Sequence, residues 1–262
     1  MITILVLGHK GMLGRAVTQY FSTKTEFKIS TINSRWGEAD FSNDIKNSKP
    51  DYIINCIGKI PQKDPVETEY NFLNIALPQF LEKLDIKIIH PSTDCEFKGN
   101  LPMGETYTKK SLRDADDVYG LSKANISAEI ETSFKNTKII RTSIIGHEAL
   151  TSVSLLDWFL SQTDTVRGYT NHYWNGITTL QWAKQAEILI SDWENFPILN
   201  QVGTSKHYSK FDILHIVKSV YKKDIEITPF ETPLTVNKCL ESDTMLPALE
   251  IQLAELKSFF KK

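Results

Sequence analysis

The 262-residue sequence is poor in cysteine, with only Cys56, Cys95 and Cys239 scattered along it. They form no Cys-x-x-Cys pair and no metal-ligand spacing with the histidines, so neither a metal centre nor a disulfide framework is expected. An odd, sparse set points to free thiols in a reducing compartment. An excess of charge is also missing: 30 Lys and Arg stand against 32 Asp and Glu, for a net charge of -2. That argues against a nucleic-acid partner. No apolar run is long enough to span a bilayer, and the N-terminal ILVL is too brief for a signal-peptide core. The expectation is a soluble cytoplasmic protein with no membrane partner. Repeats and low-complexity linkers are absent. What remains is ordinary globular composition, 41% hydrophobic and 24% charged, on a chain long enough for a substantial core.

Glycine is scarce as well, twelve in all, yet three of them, Gly8, Gly11 and Gly14, fall within the run GHKGMLG. An apolar stretch, Ile2 to Leu7, precedes the run. After it Ala16, Val17, Tyr20 and Phe21 recur at helical spacing. Strand, tight turn and helix is the local reading. In that setting one glycine allows the turn. The next lets backbone N–H groups approach an anion, and the third lets the helix sit close on the strand. The helix N-terminus then faces a pyrophosphate. The alternative is an ordinary glycine-containing loop.

Strand and helix patterns alternate onward. Residues 27–33, 51–57, 86–92 and 137–144 read as strands, and 66–84 and 119–134 as helices. Alternation of this kind implies an α/β fold, a Rossmann-type doubly wound parallel sheet. Beyond Gly146 the rhythm changes. Helices are expected at 153–161, 178–193, 209–221 (with Ser209 as N-cap) and 247–261, a strand at 197–202, and irregular chain over 224–247. The expected organisation is a dinucleotide-binding domain over 1–146, to which 170–202 returns. A smaller C-terminal substrate-binding lobe would comprise 147–169 and 203–262.

Tyr119 and Lys123, in VYGLSKANISAEI, are four apart and share a helix face. A phenol is too weak an acid for work near neutral pH, but an adjacent ammonium stabilises the phenolate. Such a pair can move a proton to or from a carbonyl or alcohol oxygen; a solvated surface pair is the alternative. HPSTDCEFKG places Ser92 and Thr93 at the end of a predicted strand, where a hydroxyl can bond the same substrate oxygen; a turn or helix cap is the plainer reading. With the nucleotide loop, these residues point to carbonyl reduction or alcohol oxidation with a nicotinamide cofactor.

At this point the sequence resembles the extended short-chain dehydrogenase/reductases of the dTDP-4-dehydrorhamnose reductase type. GHKGMLG matches their nucleotide loop, DFSN (Asp40 to Asn43) the segment bordering the adenine, and NCIG (Asn55 to Gly58) the strand end beside the cofactor. Asn74 matches a helix asparagine of the family, STDCEFKG resembles its STDYVFDG, YGLSK its Y-G-x-x-K, and RTSIIG the strand leading into the substrate lobe. The resemblance covers 1–146 well and the remainder loosely.

It implies that Tyr119 donates the proton, that Lys123 lowers its pKa and holds the nicotinamide ribose, and that Thr93 orients the carbonyl. It also implies cofactor contacts from Gly8, Lys10, Gly11, Met12, Leu13, Gly14, Asp40, Phe41, Cys56, Ile57, Gly58 and Asn74. Substrate contacts would come from Ser92, Asp94, Cys95 and Trp174, and no metal is implied. The implied reaction reduces a nucleotide-linked 4-keto-6-deoxy sugar to the deoxyhexose, in surface-polysaccharide sugar biosynthesis, and a homodimer fits the same picture. Four departures put the sugar in question: Cys95 in place of a tyrosine, Glu96 in place of an apolar residue, Ile144 in place of a tryptophan, and HYWNGITT at 172–179 in place of an F-G-x-P-T segment.

NSRW follows the second strand, with no acid at Asn33 or Ser34, so Ser34 and Arg35 suit a 2′-phosphate. NADP(H) is the expected preference, with NAD(H) also accepted. Of the remaining residues, Cys95 reads as a small buried thiol, His147 as a solvated loop histidine, and Trp174 as a loop residue able to stack on a base. Two other functions stay open. One is an epimerase or dehydratase of the same superfamily, for which Asp94 and Glu96 supply acids beside Thr93. The other is a non-catalytic NADP-binding regulatory subunit.

Overall fold

The computed structural model describes residues 1–61, 66–149 and 151–261. Alternating β1 (Ile2–Leu7), α1 (Met12–Phe21), β2 (Phe27–Thr31), α2 (Phe41–Ser48) and β3 (Tyr52–Asn55) open the chain. Next come α3 (Glu67–Tyr70), a π-helical stretch (Asn71–Ala76), α4 (Leu77–Glu82), β4 (Lys87–Ser92), a 3₁₀ turn (Asp94–Glu96), α5 (Val118–Ser133) and β5 (Thr137–Arg141). The later part holds β6 (Ile144–Ile145), α6 (Leu155–Ser161), β7 (Val166–Tyr169), β8 (His172–Trp174), β9 (Ile177–Thr178), α7 (Thr179–Ser191) and β10 (Leu199–Gln201). It ends with β11 (Tyr208–Ser209), α8 (Lys210–Tyr221), β12 (Ile227–Phe230), β13 (Val236–Asn237) and α9 (Leu249–Phe260).

Six strands form one sheet in the order β10-β5-β4-β3-β1-β2. β1 pairs in parallel with β2 and β3, and β3 with β4, which requires the helical crossovers the alternation predicted. The strands are apolar over most of their length, as a sheet covered on both faces demands. The fold is a Rossmann-type α/β fold with a doubly wound parallel sheet.

The chain divides into two compact units. One comprises Met1–Ser92, Asp116–Ile140 and Ala183–Asn200; the other comprises Thr93–Ala115, Arg141–Trp182 and Gln201–Lys262. Within the first, Leu5, Leu7, Phe41, Ile45, Ile53, Leu77, Leu81 and Ile88 form one apolar cluster. Ile126, Ile130, Ile139 and Leu199 form another. Within the second, short strands form a three-stranded sheet, β11-β8-β13, and two pairs, β12-β7 and β6-β9. Phe97, Tyr107 and Leu240 are clustered there, with the rings of Phe97 and Tyr107 stacked at 4.2 Å. Ser209 caps α8 in a reciprocal box with Asp212, an arrangement that contributes about 1 kcal/mol.

Some expectations are corrected. The single helix expected over 66–84 is three segments, with a π-helical stretch between two short α-helices. The region 224–247 is not wholly irregular, since β12 and β13 lie in it. α2 was not anticipated: it is eight residues long and buries only Phe41 and Ile45, too short a pattern to stand out. Trp174 lies on β8 and not in a loop.

Candidate active site

The glycine run forms the turn the sequence suggests. Gly8 adopts φ +75, a left-handed conformation that favours glycine, and a Cβ there would meet the Cys56 carbonyl at 2.9 Å and the Ile57 side chain at 3.0 Å. A Cβ on Gly14 would lie 2.2 Å from the Gly8 oxygen, so that glycine allows α1 to start tight against the turn. Gly11 is different. It is the N-cap of α1, its N–H donates to the Gly8 carbonyl at 2.9 Å, and a Cβ would meet only the Gly8 oxygen, at 3.4 Å. Met12 and Leu13 begin the helix, and Lys10 is exposed beside it. The structure thus brings Gly8, Gly14, Cys56 and Ile57 together. Burial raises the Cys56 thiol pKa strongly, so it stays protonated and inert.

The chain after β2 carries Ser34, whose buried hydroxyl has no hydrogen-bond partner among the described residues, and the exposed Arg35. The Arg35 N–H donates to Glu38 Oε2 at 2.8 Å. Asp40 is exposed, whereas the Phe41 ring is packed in the core beside Trp36 and Phe80. The Phe41 side chain is therefore committed to the core, and a cofactor would meet this position through its backbone.

Asn74, buried in the π-helical stretch, accepts from the Lys59 N–H at 2.9 Å and donates to the Lys59 carbonyl at 3.2 Å and to Ser122 Oγ at 3.0 Å. Ser122 Oγ in turn donates to the Tyr119 carbonyl at 2.7 Å. Asp117 caps α5, accepting from the Gly120 N–H at 2.8 Å. Gly58 packs on Asn74: a Cβ there would lie 3.3 Å from Asn74 Oδ1. Lys123 is buried, and its ammonium donates to the Pro91 carbonyl at 2.7 Å and lies 3.1 Å from His90 Nε2. The His90 pKa sits well below its ordinary value, mainly through burial and secondly through the Lys123 charge. The half-buried Tyr119 ring lies 5.9 Å from that of Tyr70. Ser92 is buried with Oγ 3.0 Å from Ser127 Oγ, so its hydroxyl faces inward. Sequence reasoning missed His90 and Ser122; both flank positions it had singled out.

In the second unit, Thr93 Oγ1 donates to Asp94 Oδ1 at 3.0 Å and accepts from the Cys95 N–H at 3.1 Å. To donate to a substrate carbonyl the hydroxyl turns away from Asp94. Cys95 is half-buried, more open than the buried thiol expected. Glu96 is wholly buried and ion-paired, 2.7 Å from both Arg113 Nε and Arg141 Nη2. Gln201 holds the other side of Arg141 at 3.0 Å, and the guanidinium lies 5.4 Å from the Phe97 ring centre. Trp174 is buried, with the Lys210 ammonium 5.9 Å from its ring centre. His147 is not a solvated loop residue: it is fully buried between Asp157 (2.7 Å) and the Tyr221 hydroxyl (2.8 Å).

A tight glycine turn at the N-terminus of α1, and a Ser34 hydroxyl without a hydrogen-bond partner among the described residues, fit a dinucleotide. No cluster of three His, Cys, Asp or Glu side chains suited to a metal occurs among the described residues. Among them, too, no helix is long and apolar enough to cross a membrane. Fold and site define an NAD(P)-type oxidoreductase of the short-chain dehydrogenase/reductase class. The family model described as the RmlD substrate binding domain matches residues 2–152, more than half of the chain, and the chain belongs to that family.

Among solved structures, the dTDP-4-dehydrorhamnose reductase of Bacillus anthracis in complex with NADP is 15% identical, with both chains covered at 100% and a TM-score of 0.86. The corresponding reductase of Clostridium acetobutylicum is 16% identical, again with 100% of each chain covered and a TM-score of 0.80. A dTDP-glucose 4,6-dehydratase of Bacillus anthracis in complex with NAD is 14% identical, covers 100% of this chain and 97% of its own, and has a TM-score of 0.79. At these identities the likeness is one of fold, shared by reductase and dehydratase alike. No curated protein matches the sequence.

Proposed function

We propose that the chain reduces the 4-keto group of a nucleotide-linked 4-keto-6-deoxy sugar, with NADPH preferred over NADH, as a cytoplasmic step that supplies deoxyhexose for surface polysaccharide. The observation that carries this reading is the placement of Lys123. It is buried, four residues from Tyr119, and anchored to the Pro91 carbonyl at 2.7 Å. A cation fixed one helical turn from a half-buried phenol stabilises the phenolate left after proton donation. When bound, the nicotinamide supplies the hydride. Tyr119 donates the proton to the sugar oxygen, Lys123 holds the nicotinamide ribose, and Thr93 orients the carbonyl through its hydroxyl. Gly8, Lys10, Gly11, Met12, Leu13 and Gly14 receive the pyrophosphate, and Ser34 and Arg35 the 2′-phosphate. Asp40, the Phe41 backbone, Cys56, Ile57, Gly58 and Asn74 line the rest of the cofactor. Asp94, Cys95 and Trp174 stand on the substrate side, whereas the Ser92 hydroxyl, turned inward to Ser127, supports the end of β4.

The dehydratase alternative needs a free acid beside Thr93. Glu96 is committed to two arginines, and Asp94 accepts the Thr93 hydroxyl, which favours simple reduction. The test is turnover of a panel of nucleotide-linked 4-keto-6-deoxy sugars with NADPH and with NADH. Consumption of NADPH that depends on one of these sugars supports the reading. Loss of the keto sugar with no net consumption of either cofactor would sink it.

A further inference from the structure

Three neighbouring short strands of the second unit carry Trp174 and lead into two lysines. β11 runs antiparallel to β8, with Tyr208 opposite Trp174 and Ser209 opposite Tyr173. β13 runs parallel to β8 on its other side, with Val236 opposite His172 and Asn237 opposite Tyr173. Lys210 directly follows β11 and Lys238 directly follows β13. The Lys210 ammonium stands 5.9 Å from the Trp174 ring centre. The Lys238 stem runs along Gly99: a Cβ on that glycine, at φ +86, would lie 2.7 Å from Lys238 Cγ and 3.2 Å from Cε. The Asn237 N–H donates to the Gly99 carbonyl at 2.7 Å, so β13 is laced to the segment that follows the Thr93–Cys95 turn.

Both lysines are half-buried, and neither ammonium has a hydrogen bond or ion pair among the described residues. Burial lowers the Lys210 pKa, Asp94 offsets part of that, and the Lys238 charge adds to it. Two ammonium groups partly withdrawn from water, with neither hydrogen bond nor ion pair among the described residues, cost stability; Asp94 offsets that for Lys210 only in part, and a bound anion would offset more. Two point charges with freely turning donors suit a phosphoryl group, for which lysine is well fitted.

We propose that Lys210 and Lys238, with Trp174 beside them, bind the diphosphate of the nucleotide-linked substrate. This rests on the reductase reading for the identity of that substrate. It adds two binding residues that the glycine loop, Tyr119 and Lys123 do not involve.

Calorimetry on the full chain tests the proposal, with NADP⁺ saturating so that the glycine turn is occupied. Inorganic pyrophosphate is one probe, and glucuronate, an anionic sugar without phosphate, the other. Pyrophosphate is expected to bind wild type. Lys210→Met and Lys238→Met should each weaken that binding by about tenfold or more. Lys210→Arg should retain most of it, NADP⁺ affinity should be unchanged throughout, and circular dichroism should show all variants folded. The proposal is overturned if pyrophosphate fails to bind wild type, or binds both Met variants as well as wild type. It is also overturned if glucuronate alone depends on the two lysines. Neither probe carries a keto group, so failure here leaves the reductase reading standing. Lysine-dependent pyrophosphate binding by a chain that reduces no keto sugar would remove that reading and leave the diphosphate site.

Discussion

The ammonium of Lys123 donates to the carbonyl of Pro91 across 2.7 Å, which ties α5 to the end of strand β4. The Pro91 carbonyl and His90 hold the lysine from the β4 side. Tyr119→Phe should therefore leave cofactor affinity intact and cost roughly 10²–10⁴-fold in turnover, the range for losing a positioned acid. Steady-state kinetics paired with NADPH titration checks it. A variant with near-normal kcat would remove the phenol from the mechanism.

Gly11 and Gly14 should fail in opposite ways. Gly14 has no room for a Cβ beside the Gly8 oxygen at 2.2 Å, so Gly14→Ala should destabilise the fold by about 1–3 kcal/mol, an overpacking cost. Gly11 is exposed and meets only one atom at 3.4 Å, so Gly11→Val should keep its melting temperature and lose dinucleotide binding. Thermal unfolding and calorimetry on both variants separate the two. Unchanged NADPH binding by Gly11→Val would break the assignment of the loop.

Arg35→Ala should weaken NADPH by roughly 1.5–3 kcal/mol, the range for hydrogen bonds to charged groups, and leave NADH nearly untouched. Glu38 accepts the backbone N–H of Arg35 at 2.8 Å, so its carboxylate is already engaged locally. Dissociation constants for both cofactors, in wild type and variant, decide the matter. An equal loss for each would mean that Arg35 reads the adenine or supports the loop.

His90 gives the protein an acid-side weakness. Burial first, and Lys123 second, hold the folded-state pKa well below the unfolded value, so the native imidazole stays neutral. As pH falls below about 6.5, the unfolded chain binds a proton that the native state refuses. Stability is then lost on going more acid, by up to about 1.4 kcal/mol per pH unit from this group. Denaturant midpoints measured across that range should flatten in His90→Gln. An unchanged slope would assign the acid sensitivity to other groups.

Alternation of strand and helix patterns made the parallel sheet legible in the sequence, and the Tyr119–Lys123 spacing marked α5. The glycine turn was legible because Gly8 and Gly14 are demanded by local sterics. What escaped depends on contacts distant in sequence. His147 looked like a loop histidine because Asp157 and Tyr221, which bury it, are 10 and 74 residues away. Glu96 looked like a stray acid beside Thr93, and only the fold supplies Arg113 and Arg141 to neutralise it. Trp174 read as loop because two- and three-residue strands carry no measurable period. The π-helical stretch around Asn74 has no sequence signature at all, although the asparagine itself marked the place.

The central claim is net hydride transfer to the sugar, and isotope transfer tests it most directly. NADPH deuterated at the transferable position is supplied with a nucleotide-linked 4-keto-6-deoxy sugar, and the product is examined by NMR. The account predicts one deuterium at C4 of the deoxyhexose and stoichiometric NADP⁺, with both formed roughly 10²–10⁴-fold more slowly by Tyr119→Phe. A product with no deuterium at C4, or solvent exchange at C3 or C5 without cofactor consumption, would contradict it and mark the chain as an epimerase or dehydratase.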